Sequence, residues 1–185
     1  MSKRAFLIHG WEGTPEDAWR PWLKNELEKR GYTVIMPAMP DTYHPKMDGW
    51  VNHLTEVVGV PDKECYLVGH SLGCIAILRY IETLEENQEV GGVIFVAGFS
   101  DDLGIKELNT FFTKPIDWSK IKSHCKKFIA IHSDNDPYVP LKHGDIFKEK
   151  LNAEVIVKHN MKHFSGDDGI IELPVVLDAL LKISK

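Results

Sequence analysis

A serine with a glycine two positions away on either side, Gly69-His70-Ser71-Leu72-Gly73, is the part of the sequence best suited to chemistry. The apolar run 65–68 precedes it, and Cys74-Ile75-Ala76-Ile77-Leu78-Arg79-Tyr80 follows with helical character, so the pentapeptide sits on a tight turn from strand to helix. The glycines leave room for close backbone approach. The turn also sets Ser71 at a helix N-terminus, where free N–H groups and a partial positive charge favour the oxyanion formed in acyl transfer. A serine hydroxyl is a weak nucleophile at neutral pH. A histidine must therefore take its proton, and an acid must fix the tautomer of that histidine.

Four of the nine histidines lie beyond the start of the expected fifth strand: His132, His143, His159 and His163. His132 falls within that strand, and His143 is expected on an exposed helix beside Lys142. Of the remaining two, His163 lies deeper in the loop after the last strand and fits the chain order serine, acid, histidine. His159 and His163 have the i, i+4 spacing of helical zinc ligands, but His-Asn-Met-Lys-His contains no glutamate and has no helical pattern. No metal and no other cofactor is therefore expected, nor is there a glycine-rich phosphate loop. His9-Gly10-Trp11-Glu12-Gly13 ends the first strand, where a second oxyanion donor would be needed. The backbone N–H groups of Trp11 and Leu72 are the candidates, and His9 and His70 are read as structural neighbours.

Such residues need elements that bring them together. Short apolar runs at 5–9, 33–36, 65–68, 93–97, 128–132 and 154–158 alternate with helical segments near 17–30, 48–58, 72–85, 119–124, 141–151 and 171–182. This alternation indicates an α/β fold with a mainly parallel sheet, and Gly31 suits a left-handed stop to the first helix. His9, Ser71, Asp134 to Asp136 and His163 all follow strands. In open sheets, the loops at the carboxyl ends of the strands converge on one site.

The 185 residues suit one compact domain of ordinary soluble composition. The net charge of −5 comes without a basic cluster, which argues against nucleic acid and anionic membrane as partners. No apolar stretch spans a bilayer and the N-terminal residues do not read as a secretory signal. Three scattered cysteines fit a reducing compartment, so a cytoplasmic protein is expected, with Cys65 and Cys74 packed as small hydrophobes.

With these residues assembled, the chain resembles the small serine hydrolases of the retinoblastoma-binding-protein-nine and YdeN group, minimal members of the α/β-hydrolase superfamily. The resemblance spans nearly the whole length. It is carried by Ile8-His9-Gly10-Trp11, Trp19-Arg20-Pro21-Trp22-Leu23, Met39-Pro40, the stretch from Tyr66 to Cys74, Ser133-Asp134-Asn135-Asp136 with Val139-Pro140, and His163-Phe164. The YdeN-like side matches better. By position, the resemblance puts the triad on Ser71, Asp136 and His163, and implies about six strands in the order 2-1-3-4-5-6, with helices on both faces and no large cap domain. Asp136 occupies the acid position of the pattern, and Pro137 biases it toward an extended backbone. Asp134 then reads as a turn-former, accepting N–H bonds within its own loop. The Leu-x-Cys-x-Glu motif associated with retinoblastoma binding is absent, since Leu72-Gly73-Cys74-Ile75-Ala76 has no glutamate, and no such partner is expected.

Only residues 98–126 stand where larger hydrolases insert a cap, with one short helix expected among them. Phe99, Phe111, Phe112, Pro115 and Trp118 in this stretch could line an acyl pocket or pack in the core. The expected activity is hydrolysis of a small ester or related activated acyl compound through an acyl-enzyme. An amidase or peptidase on the same triad and a non-catalytic binding module with this fold are the rivals.

Overall fold

The computed structural model describes residues 2–185. Its six strands are β1 (Arg4–Ile8), β2 (Thr33–Ile35), β3 (Cys65–His70), β4 (Gly92–Val96), β5 (Phe128–Ser133) and β6 (Glu154–Lys158). They form one sheet in the order β2-β1-β3-β4-β5-β6, every pair parallel, as the resemblance implies. The central strands β3, β4 and β5 are buried on both faces, which is why they read as unbroken apolar runs rather than alternating ones.

Six α-helices cover the sheet. α1 (Arg20–Glu28) and α6 (Pro174–Ile183) pack on one face, while α2 (Met47–Val58), α3 (Leu72–Ile81), α4 (Trp118–His124) and α5 (Lys142–Leu151) cover the other. α1 starts three residues later than the pattern suggests, with Pro21 in its first turn, and ends at Glu28. Gly31 then takes φ 83°, and the N–H groups of Gly31 and Tyr32 donate back to Glu28 and Leu27. No helix among the described residues is long and apolar enough to cross a membrane.

All ten residues of α3 are buried, including Arg79. Its guanidinium pairs with Glu82 Oε2 at 2.9 Å and donates to the carbonyls of Phe111 (2.8 Å) and Lys114 (2.6 Å), while Glu82 Oε1 accepts the N–H of Asp117 (2.6 Å). This charged knot fixes the stretch after β4 onto α3. Besides α4, that stretch contains a 3₁₀ helix, Lys106–Phe112, which the sequence pattern does not reveal. His143 also departs from expectation: it is wholly buried, its Nδ1 taking the N–H of Ser100 at 3.2 Å.

Candidate active site

Ser71 occupies the turn between β3 and α3 with φ 52° and ψ −119°, a strained conformation for a residue with a side chain. The surroundings impose it. The N–H of Ser71 donates to Val96 of β4 and its carbonyl accepts the N–H of Cys74, both at 2.9 Å. A side chain on Gly69 would put its Cβ 2.8 Å from the Cys74 nitrogen, and one on Gly73 would put it 2.5 Å from the Ile8 oxygen. Both glycines are therefore required by contact rather than by their torsion angles. Gly10 belongs to the same arrangement: a Cβ there would sit 3.0 Å from that of Ser71, so the loop after β1 passes directly beside the serine.

That loop is shaped by His9, whose Nδ1 donates to the Gly10 carbonyl at 2.8 Å and whose Nε2 accepts the Met39 N–H at 3.1 Å. Both ring nitrogens are engaged, and burial pushes the imidazole below its usual pKa, so His9 acts as a structural group, as expected. Among the described residues, the N–H groups of Trp11 and Leu72 have no protein acceptor, whereas Glu12 and Gly13 of the same loop donate to Thr42 and Gly10. Two unspent donors therefore lie in the loop beside Ser71 and on the residue after it.

The histidine and its acid come from the loops after β6 and β5. The Asp136 carboxylate, 2% exposed, lies 2.9 Å from His163 Nδ1 through Oδ2. Its Oδ1 accepts the N–H groups of Tyr138 (2.9 Å) and Val139 (3.0 Å). With the acid accepting throughout, Nδ1 carries the proton and Nε2 keeps its lone pair free. Ser71 and His163 line the same cavity, and no hydrogen bond joins their side chains. Such contacts commonly tighten only around substrate.

Asp134 corrects an expectation. Its carboxylate reaches across to the next loop, to His159 Nδ1 (2.6 Å) and the Asn160 N–H (2.9 Å). Ser133 Oγ takes the N–H of Met161 at 3.0 Å, and Asn135 Oδ1 that of Lys162 at 2.9 Å. Four consecutive side chains, Ser133 to Asp136, thus hold the loop from His159 to His163. Sequence reasoning missed Ser133 and Asn135, because these residue types in a loop read as turn-formers. His159 and His163 each pair with a separate carboxylate and do not converge. His70 Nε2 donates to the His163 carbonyl at 2.8 Å, and burial first, then the neighbouring His163 and Arg20, hold the His70 imidazole well below its usual pKa.

Two lobes open from Ser71 and His163. One, a cavity of about 340 Å³, is mostly apolar, with Phe99, Leu103, Ile105, Leu108 and Val139 in its wall. Of the five residues the sequence offered for this role only Phe99 serves. Phe111 packs edge-on against Trp50, Trp118 edge-on against Phe147, and Phe112 and Pro115 line a separate groove. The other lobe, about 380 Å³, is more polar and reaches Arg20, Ser165 and Asp167. Arg20 is 2% exposed and donates through Nη2 to the Thr14 carbonyl at 2.9 Å.

The fold is that of a small α/β hydrolase, with the serine on the turn after β3 and the histidine-aspartate pair beyond β6 and β5. The chain belongs to the serine hydrolase family, whose model matches residues 5–182. It is 33% identical to YdeN of Bacillus subtilis (strain 168) over 181 residues, covering 97% of this chain and 95% of that one. Serine hydrolase RBBP9 of Rattus norvegicus is 28% identical over 163 residues, covering 86% and 81%. The crystal structure of the ydeN gene product from B. subtilis superposes with a TM-score of 0.94 at 32% identity, covering 98% of each chain. Est1E from Butyrivibrio proteoclasticus, solved with ferulic acid bound, shares the fold at a TM-score of 0.78 and 16% identity, covering 98% of this chain and 90% of that one.

Proposed function

We propose that the protein is a carboxylesterase-like serine hydrolase that cleaves a small ester or related activated acyl compound with Ser71, His163 and Asp136. The observation that carries this reading is the half-buried His163 held at 2.9 Å by the buried Asp136 carboxylate beside the strained serine, on one mostly apolar cavity. As Ser71 Oγ attacks the acyl carbon, its proton passes to His163 Nε2, and the carbonyl electron pair becomes an oxyanion held by the N–H groups of Trp11 and Leu72. Collapse expels the alkoxide, which takes the proton from Nε2 and leaves an acyl-serine. Water then attacks with the same histidine as base, the acid is released, and Ser71 regains its proton. Asp136 keeps the Nδ1 proton in place and favours the imidazolium that forms.

The chain's own residues complete these steps without a cofactor. The apolar lobe suits the acyl chain and the polar lobe the alcohol. A cytoplasmic setting suits the three free, buried thiols.

An alkyl phosphonate probe read by intact mass tests the proposal: one adduct on the wild-type protein, at Ser71, and none on Ser71→Ala. The folded Ser71→Ala variant should hydrolyse a p-nitrophenyl ester at background rate. Absence of labelling on folded wild type would support a binding module instead. A matched series of esters and amides of graded acyl length separates an esterase from an amidase or peptidase.

A further inference from the structure

The loop that carries His163 cannot hold its own shape. Asn160, Lys162 and Phe164 take φ of 56°, 45° and 55°, left-handed values unfavourable for residues with side chains, and His163 lies between two of them. Side chains from outside hold the stretch up to Lys162, as described above. His163 itself is gripped at both ends of its backbone: His70 supplies a donor to its carbonyl at 2.8 Å, and the Asp168 carboxylate accepts its N–H at 3.1 Å.

Asp168 does more than this single contact. Its Oδ2 also takes the N–H of Ser165 (3.2 Å) and the Ser165 hydroxyl (2.7 Å), and its Oδ1 lies 3.5 Å from Lys162 Nζ. Burial pushes this carboxyl up, but the Ser165 and His163 hydrogen bonds and the Lys162 charge outweigh it, so the group sits below its ordinary range and is ionised at neutral pH. Asp168 lines neither lobe of the cavity. Its three donors are the backbone of the histidine, and the backbone and hydroxyl of the residue two places on.

We infer that Asp168 is a positioning residue for His163: by fixing the backbone on either side of Phe164, it aims the imidazole so that Nδ1 meets Asp136 while Nε2 faces Ser71. The inference rests on the proposed roles of Ser71 and His163. A displaced general base loses proton-transfer efficiency without losing substrate contacts, so the loss belongs in kcat. A misplacement on the order of 1 Å corresponds to a rate loss of about 10²-fold.

The test compares wild type with Asp168→Ala, Asp168→Asn and Asp168→Glu, by kcat and KM on one p-nitrophenyl ester and by the rate of phosphonate labelling at Ser71. Asp168→Ala should lose about 10²-fold in kcat and in labelling rate with KM nearly unchanged. Asp168→Asn keeps an oxygen able to accept all three donors and should restore most of the rate. Asp168→Glu keeps the charge but shifts the acceptor by a methylene, and should fall between wild type and Ala. Should the alanine variant not fold, the Asn and Glu variants decide: Asn near wild type with Glu clearly slower supports the inference, and Glu at full rate overturns it. Wild-type kcat in folded Asp168→Ala, a loss expressed in KM, or failure of Asn to restore the rate would each overturn it. Unlabelled wild type would instead remove the functional reading on which it rests.

Discussion

Asp134 and Asp136 stand two residues apart in one loop, yet the structure gives them different tasks. Asp136 is buried against the ring of His163, while Asp134 meets His159, whose side chain is 84% exposed. Asp136→Asn is expected to lower kcat by about 10⁴-fold, because the amide favours the wrong imidazole tautomer. Asp134→Asn retains an oxygen for the Asn160 N–H and gives up only a solvent-exposed pair, so its effect should stay within about tenfold. Steady-state kinetics on the two folded variants checks this, and a reversed order would move the acid to Asp134. The pattern Ser133-x-x-Asp136-x-x-Val139-Pro140 is local, so the sequence alone singles out Asp136, and in the structure this carboxylate is the one at the His163 ring. Asn135 was not legible, since it accepts a backbone N–H brought to it by the tertiary path of another loop, and neither was Asp168, whose grip on the His163 N–H depends on the left-handed turns of its own loop.

At the scale of elements, the strands and most helices could be read from apolar runs and breakers, whereas the 3₁₀ helix at Lys106–Phe112 could not. It has little periodicity of its own and is held by Arg79, which spends its donors on the carbonyls of Phe111, Lys114 and Pro115 and on Glu82. The same missing information explains why Leu103, Ile105 and Leu108 went unrecognised as cavity wall while aromatic neighbours were considered. Arg79→Met would strand the Glu82 carboxylate and three carbonyls, and it should destabilise the fold by about 3–5 kcal/mol in urea titrations. The double variant Arg79→Met, Glu82→Leu should cost less than the sum of the two single changes, because neither charge is then left unpaired. In folded Arg79→Met, KM for longer acyl esters should rise more than for acetate, as the wall loosens around the apolar lobe. Unchanged stability in Arg79→Met would show that the buried pair does not anchor this segment.

Across the whole molecule, one sheet buries not only its apolar core but also His9, His70, His132 and His143, and burial lowers the pKa of each. His132 gives the plainest case. It is 1% exposed and neither ring nitrogen has a hydrogen-bond partner. Burial first, then His143, pushes its pKa to about 4, against the opposing pull of Asp136 and Asp145. Above about pH 6.5 the imidazole is neutral whether the chain is folded or not, and stability is unaffected. As pH falls from 6.5 to about 4, the unfolded chain takes up a proton that the folded one refuses, so stability is lost at about 1.4 kcal/mol per unit. Below about 4 both forms are protonated and this loss stops. His132→Leu removes the proton site and two unpaired polar atoms, so at pH 7 it should leave the protein as stable as wild type or more so. Between pH 7 and pH 5, urea titrations should show wild type losing about 2 kcal/mol more than the variant, since 1.5 units of that window lie below the unfolded pKa. Equal losses in the two proteins would mean that His132 is protonated in the folded state at pH 5, and the acid sensitivity would then belong to His9, His70 and His143.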